Sequence, residues 1–349
     1  MKTGILLINL GTPDAPEASA VRPYLKQFLT DERVIDIPAV PRNLLVRGVI
    51  APLRAPKSAA AYKTVWTDQG SPLLVYGRAL LESLREALPE LTCELAMRYG
   101  HPSIEAGLAT LRAAGCDRVL LAPLYPHYAS SSTGSSLAEA YRVAARLWNT
   151  PFLSVLPPFY DDPGFVRAFA AVGRPVLDDL QPDQVLFSFH GLPERHCTKS
   201  DESGGQHCFA RPDCCDAIVE ANRHCYRAQC FATARALRQA LSLTPERSPV
   251  AFQSRLGRDP WIRPYTDELL VELARSGVKR LAVFCPAFVA DCLETLEVIG
   301  DRADADFRAA GGDRLELVPS LNAHPEWVMA LADLIRRALP SEVATSIDS

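Results

Sequence analysis

Hydrophobic and polar positions follow two alternating patterns along the chain. Short unbroken apolar runs recur, and most are followed by stretches whose apolar residues fall three and four apart. The first pattern predicts buried parallel strands and the second amphipathic helices. Strands are predicted at Ile5–Leu10, Cys93–Tyr99, Val119–Pro123, Phe152–Leu156, Val185–Phe189, Val250–Ser254, Leu281–Cys285 and Leu315–Val318. Helices are predicted at Glu17–Leu29, Leu73–Leu88, Ser103–Ala114, Leu137–Leu147, Asp162–Leu180, Phe231–Leu241, Thr266–Arg275, Asp291–Ile299 and Glu326–Leu339. Such alternation predicts an α/β fold whose parallel sheet is covered on both faces.

One internal echo divides the pattern. A-G-C-D-R-V-L-L-A-P at 114–123 and S-G-V-K-R-L-A-V-F-C-P at 276–286 share a glycine, an arginine, an apolar strand and a closing proline. This predicts two similar lobes with a ligand cleft between them. The first is expected over residues 1–150, completed by a C-terminal helix within 320–340, and the second over 151–319. Residues 342–349 read as a disordered tail.

Composition narrows the class. An apolar fraction of 48% and a net charge of −4 fit a globular chain and argue against a general nucleic-acid surface. No window approaches the ~18 apolar residues of a membrane span. The apolar start is too short for a signal peptide, so a cytoplasmic location is expected. Between Asp36 and Asp68 the only charged residues are Arg42, Arg47, Arg54, Lys57 and Lys63, interleaved with apolar ones. The segment 42–63 reads either as a solvated helix or as a lip touching the inner face of a membrane.

Three places could carry chemistry. His190 ends a predicted strand, and Gly191 and Pro193 break the chain at once. A histidine at the carboxyl edge of a parallel sheet lies where ligands bind, and it can accept a proton or a metal near neutral pH. The segment Y-P-H-Y-A-S-S-S-T-G-S-S, from Tyr125 to Ser136, reads as a donor-rich loop ahead of a helix, suited to an anion. Asp291 and Glu294, three apart at a predicted helix start, could face His190, giving a nitrogen and oxygen set for a divalent metal. Separately, six of ten cysteines (Cys197, Cys208, Cys214, Cys215, Cys225 and Cys230) fall within one short segment. In a reducing compartment, that clustering points to metal or iron–sulfur ligation before disulfides.

In order, N-L-G-T-P at 9, M-R-Y-G at 97, the Tyr125–Ser136 segment, S-F-H-G-L-P-E-R at 188, F-Q-S-R-L-G-R-D-P-W at 252 and A-D-C-L-E-T-L-E at 290 resemble the ferrochelatases. The resemblance spans Gly4 to Leu339. It implies two flavodoxin-like lobes around a porphyrin cleft and insertion of Fe²⁺, the substrate metal, into protoporphyrin IX. Coproporphyrin III is the alternative substrate, and a non-catalytic tetrapyrrole or iron carrier and a cobalt chelatase are the rival readings. By position, His190 matches the family's active-site histidine and Glu294 its acidic partner, both as catalytic and metal-contacting residues. Arg98, Tyr99, Tyr125, Ser130, Ser132, Thr133 and Ser135 match residues that line the porphyrin site. Glu297 is followed by Val298 where the family often has a second acid.

From Cys197 to Cys225 the chain departs from simpler members, which pass directly to the point matched here by Tyr226 and Cys230. Some bacterial members hold a [2Fe–2S] cluster in such an insertion, with zinc the second choice here. Cys197, Cys208, Cys215 and Cys225 are the favoured ligands. Cys230 also occurs in members without the insertion. Adjacent Cys214 and Cys215 would point opposite ways in extended chain, making one of the two a bystander, and Cys214 and Cys230 are the less favoured candidates.

Overall fold

The computed structural model describes residues 1–340 apart from Leu256 and Arg258; the tail expected at 342–349 lies outside the described residues. Within them, the strands are β1 (Thr3–Thr12), β2 (Thr92–Gly100), β3 (Arg118–Pro123), β4 (Phe152–Val155), β5 (Gln184–His190), β6 (Val250–Gln253), β7 (Arg280–Phe284) and β8 (Arg314–Leu317). They form two four-stranded sheets, ordered β2-β1-β3-β4 and β6-β5-β7-β8, with every pairing parallel. The two orders are the same, and the echoed segments become β3 and β7, the equivalent strands of their sheets.

The chain forms two compact units. One contains Met1–Tyr125, Ser130–Pro157 and the described residues after Trp327; the other contains Pro126–Ala129 and Pro158–Trp327. The first unit packs Leu6, Ile8 and Leu121 of its sheet against Leu108 and Val143 of its helices. In the second, Leu186 and Val283 meet Leu270, Ile299 and Phe307. Each such side chain stabilises the fold by about 1.5–3 kcal/mol relative to exposure. The C-terminal helix Pro325–Ala338 is fastened to the first unit by Arg336, whose Nη2 donates to the Ala87 carbonyl at 3.0 Å.

Several boundaries differ from the sequence reading. Residues 39–65 are helical throughout, as Ala39–Leu45, a π-helical turn Val46–Ile50 and Ala51–Val65. Ser130–Gly134 is not a loop but a π-helical turn running directly into the helix Ser135–Ala144. The predicted helix at Asp291 begins only at Leu293, because Asp291 and Cys292 serve as its anchor and cap. It continues as a π-helix over Leu296–Ala303.

In each doubly wound sheet, the crevice beyond the carboxyl ends of the two central strands is where the connections diverge. In the second unit these are β5, ending in His190, and β7, whose exit leads to Glu294.

Candidate active site

β5 reads V-L-F-S-F from 185 to 189, apolar on both faces because helices cover both, and all five residues are buried. Its one polar residue, Ser188, has no access to water and so needs protein partners. Its Oγ donates to Gln253 Oε1 at 2.9 Å and lies 2.9 Å from Thr266 Oγ1. The next outward residue on the strand is His190, half-buried at the carboxyl edge.

The histidine's orientation follows from the break after it. Its Nδ1 is 2.6 Å from the Gly191 carbonyl oxygen. A carbonyl only accepts, so Nδ1 carries the hydrogen, and in the neutral ring Nε2 keeps its lone pair. Phe288 stands edge-on to the imidazole, with ring centroids 6.3 Å apart. Glycine suits position 191, because a Cβ there would approach the carbonyl oxygens of Gln253 and Ser254 at 3.0 Å and require a small shift of backbone.

Glu294 comes from the exit of β7. The chain turns at Pro286 and is pinned by Asp291, which is buried. The Asp291 carboxylate accepts from Thr295 Oγ1 at 3.0 Å, Asn322 Nδ2 at 2.8 Å and the Ser320 amide. Asp291 therefore does not share an exposed face with Glu294, as helical spacing had predicted. It lies before the helix, and its oxygens are occupied inside the protein. Glu294 is half-buried, and its carboxylate, after burial itself, helps hold the thiol of buried Cys292 well above the ordinary value. Glu297 is engaged by Arg302 at 2.5 Å.

In the first unit, three of the residues matched to porphyrin binding, Arg98, Tyr99 and Ser135, meet around an acid that the sequence reading missed. Asp31 follows the helix Ala18–Leu29, and its Oδ2 accepts from Arg98 Nη2 at 2.6 Å, Tyr99 Oη at 2.9 Å and Ser135 Oγ at 2.5 Å. Arg98 Nε also donates to Ser135 Oγ at 2.7 Å. Burial alone would raise the Asp31 carboxyl, but hydrogen bonds from Ser135, the Arg33 amide and Tyr99, with the Arg98 charge, hold it below the ordinary value. Tyr99, Thr133 and Ser135 are buried, so they back the wall and leave Arg98 half-buried at its surface. Tyr125 is half-buried with its hydroxyl 3.1 Å from Ser136 Oγ, and Ser130 accepts from Arg33 at 2.9 Å. Ser132 is also half-buried.

Asp31→Ala strands the Arg98 charge and is expected to cost about 3 kcal/mol, read as a lower denaturant midpoint at unchanged m. The pH dependence has a definite sign. A carboxyl with a depressed folded-state pKa stabilises fully above its unfolded value, about 4, and loses that stabilisation as pH falls through the folded value. Wild type and variant should therefore converge only in acid.

The segment 39–65 presents Val40, Leu44, Val49 and Leu53 to solvent, with exposures of 71%, 70%, 48% and 74%. Arg42 leaves the basic set expected there. It is buried, and its Nη1 donates to the carbonyls of Ile37 and Ile35 at 2.8 and 3.3 Å, closing the preceding turn. No helix among the described residues is long and apolar enough to cross a membrane.

The six clustered cysteines are all buried. Asp201 organises the segment by accepting from the amides of Ser203, His207 and Cys208. Asn222 donates to the carbonyls of Cys214 and Ala217, both at 2.8 Å. Cys225 lies beside Cys197 and Cys208, and these thiols hold its own well below the ordinary cysteine value. Cys214 and Cys215 do not point apart. Their sulfurs are 3.8 Å from each other, because the chain there is a turn and not extended. Arg227 Nη1 donates to Cys215 Sγ at 3.0 Å. Among the described residues, no group of three or more His, Cys, Asp and Glu side chains is arranged to hold a single metal ion.

Known proteins share this chain's sequence along nearly its whole length. The ferrochelatase family profile matches residues 2–339. The ferrochelatase of Pseudomonas fluorescens (strain Pf0-1) is 50% identical over 335 residues, covering 96% of this chain and 97% of that protein. That of Coxiella burnetii (strain Dugway 5J108-111) is 47% identical over 341 residues, covering 97% and 94%. Among solved structures, SirB from Bacillus subtilis with Fe3+ superposes with a TM-score of 0.56 at 14% identity, covering 98% of each chain, a likeness of fold. With paired parallel sheets, a histidine and a glutamate at the carboxyl edge of the second, and this span of sequence match, the chain belongs to the ferrochelatase family.

Proposed function

We propose that this ferrochelatase inserts Fe²⁺ into protoporphyrin IX, with His190 accepting the pyrrole protons and Glu294 contacting the metal. The observation that carries the reading is the 2.6 Å contact between His190 Nδ1 and the Gly191 carbonyl oxygen. The Nδ1–H is committed to that carbonyl, so in the neutral ring the Nε2 lone pair is the free one. Free-base porphyrin holds two N–H protons, and both must leave as the metal enters. His190 Nε2 accepts a proton as each pyrrole nitrogen turns its lone pair to iron, then releases it to solvent. Two protons leave and one divalent cation enters, so charge balances. Binding a bent ring more tightly than a flat one would lower the barrier further. Arg98, Tyr125, Ser130 and Ser132 are assigned to porphyrin binding, with buried Tyr99 and Ser135 fixing Arg98 through Asp31 and Thr133 buried behind them. The test is anaerobic mixing of the protein with protoporphyrin IX or coproporphyrin III and Fe²⁺ or Zn²⁺, followed by visible absorption. Faster insertion into protoporphyrin is expected. Faster insertion into coproporphyrin overturns the substrate, and porphyrin binding without insertion leaves a carrier.

The cysteine segment fits a [2Fe–2S] cluster by its donor set. Cys197, Cys208, Cys215 and Cys225 are buried sulfurs, Cys225 lies against two of the others, and an Arg227 N–H is aimed at Cys215. These four would hold the cluster, which supplies one-electron chemistry and a covalent brace when bound. Zinc is the second choice for the same thiolates.

The location proposed is cytoplasmic with peripheral membrane contact through the exposed face at 39–65. Leu44 and Leu53 are the apolar anchors, with Arg47, Arg54, Lys57 and Lys63 facing anionic lipid. The double variant Leu44→Glu, Leu53→Glu is expected to lose at least about tenfold in cosedimentation with phosphatidylserine vesicles. Equal sedimentation of wild type and variant, or none by wild type, refutes the contact.

A further inference from the structure

The structure assigns to Gln253 the role of a positioning residue that sets His190 and Glu294 relative to each other, an inference that rests on the proposed roles of those two residues. Gln253 ends β6 and is paired in register with His190, which ends β5. Its side chain is buried, yet it is directed between two elements and satisfied at both ends. Nε2 donates to the Glu294 backbone carbonyl at 2.9 Å, and Oε1 accepts from Ser188 Oγ at 2.9 Å. Since the Glu294 carbonyl can only accept, the amide orientation is fixed. Its backbone carbonyl also accepts from the Gly191 amide at 2.6 Å. One residue thus holds the turn that carries the histidine and, 41 positions away in sequence, the first turn of the helix that carries the acid.

No purely apolar residue could do this. A carbonyl at a helix start can be satisfied within the helix, since it is the N–H groups there that lack partners, so the Gln253 bond is an added tie from a neighbouring strand to the first turn. A leucine or methionine here would remove that tie and the acceptor of Ser188 Oγ, freeing the helix start to shift. Positioning of this kind counts because a displacement of about 1 Å at a reacting group can cost on the order of 100-fold in rate. Ser188 extends the brace inward, since its hydroxyl holds the Gln253 oxygen while Thr266 holds Ser188.

The test measures Gln253→Met, Gln253→Glu and Ser188→Ala beside His190→Ala and Glu294→Gln, with porphyrin affinity from fluorescence quenching, and kcat and KM for Fe²⁺ and Zn²⁺ insertion. Gln253→Met removes the donor at similar volume; Gln253→Glu keeps the oxygen and loses the N–H. Both are expected to lower kcat by about 10- to 100-fold, with porphyrin affinity within about twofold of wild type. Both should change the Fe²⁺ to Zn²⁺ rate ratio, which a loss of folded protein would not move. Ser188→Ala, which relaxes the same brace from its far end, should follow in the same direction with a smaller effect. Wild-type kcat in the Gln253 variants while His190→Ala and Glu294→Gln are inactive overturns the positioning role alone. Equal loss of porphyrin affinity and kcat, at an unchanged metal ratio, overturns it as a structural effect. Should Gln253→Met fail to fold, Gln253→Glu and Ser188→Ala decide by the same criteria. Full activity in His190→Ala and Glu294→Gln instead removes the reading beneath it.

Discussion

His190→Ala is expected to bind protoporphyrin IX as tightly as wild type and to insert Fe²⁺ at about one-hundredth of its rate or less. The magnitude is that of losing a positioned proton acceptor, typically 10²- to 10⁴-fold. The substitution leaves the fold's own bonds in place. The Gly191 amide still donates to Gln253, Ser188 still reaches Gln253 Oε1, and β5 remains buried through Phe189. What disappears is the one group whose Nδ1–H is spent on a backbone carbonyl and whose other nitrogen is left basic. Fluorescence titration of the porphyrin and an insertion assay separate the two effects. Normal turnover in the variant would remove His190 from the mechanism, and lost porphyrin affinity would make it a binding residue.

The sheets were legible because parallel strands covered on both faces leave an unmistakable trace, continuous apolar runs such as V-L-F-S-F and L-A-V-F. Strand ends were legible too, since Gly191 and Pro286 interrupt the runs where the chain leaves the sheet. That placed His190 at the carboxyl edge before any contact was known. The helices at 39–65 were harder to read. Pro41, Pro52 and Pro56 punctuate the segment, and Val40, Leu44 and Leu53 face solvent, so the apolar spacing does not mark a core-facing stripe.

What the sequence could not disclose was the set of polar partners brought together over distance. Asp31 lies 67 residues from Arg98 and 104 from Ser135, and nothing local distinguishes it from a surface aspartate after a helix. Gln253 was visible only as a letter in F-Q-S-R, because its work depends on two elements that the fold places on either side. Asp291 misled for a related reason. Its spacing from Glu294 suits a helix face, but the carboxylate finds three donors before the helix begins, and those decide its direction. The pair Cys214 and Cys215 was misread by assuming extended chain, where a turn brings both sulfurs to one side.

Cys225→Ser is expected to yield protein with little or no bound iron and sulfide and no visible cluster absorption, whereas Cys214→Ser keeps both. Cys225 lies beside both Cys197 and Cys208, and the backbone amides of Ala228 and Arg227 also favour its thiolate. An alcohol oxygen in that place is a poor iron ligand and contracts the donor set to three. Beyond the segment's buried cysteines, its order draws on Asp201 gathering the amides up to Cys208, on Asn222 gathering the carbonyls of Cys214 and Ala217, and on Arg235, which donates to the Cys215 carbonyl at 2.9 Å. A metal bound only by the folded state adds to stability, so loss of the cluster should also lower Tm. Its effect should reach chemistry as well, because the helix Glu194–Lys199 carries Cys197 and begins directly after the His190 turn. Iron, zinc and sulfide analysis of anaerobically purified wild type and variants decides among the ligands. Zinc in place of iron in the wild type would replace the cluster with a structural metal. A metal-free, colourless wild type would refute both, and an unchanged cluster in Cys225→Ser would return Cys214 or Cys230 to the ligand set.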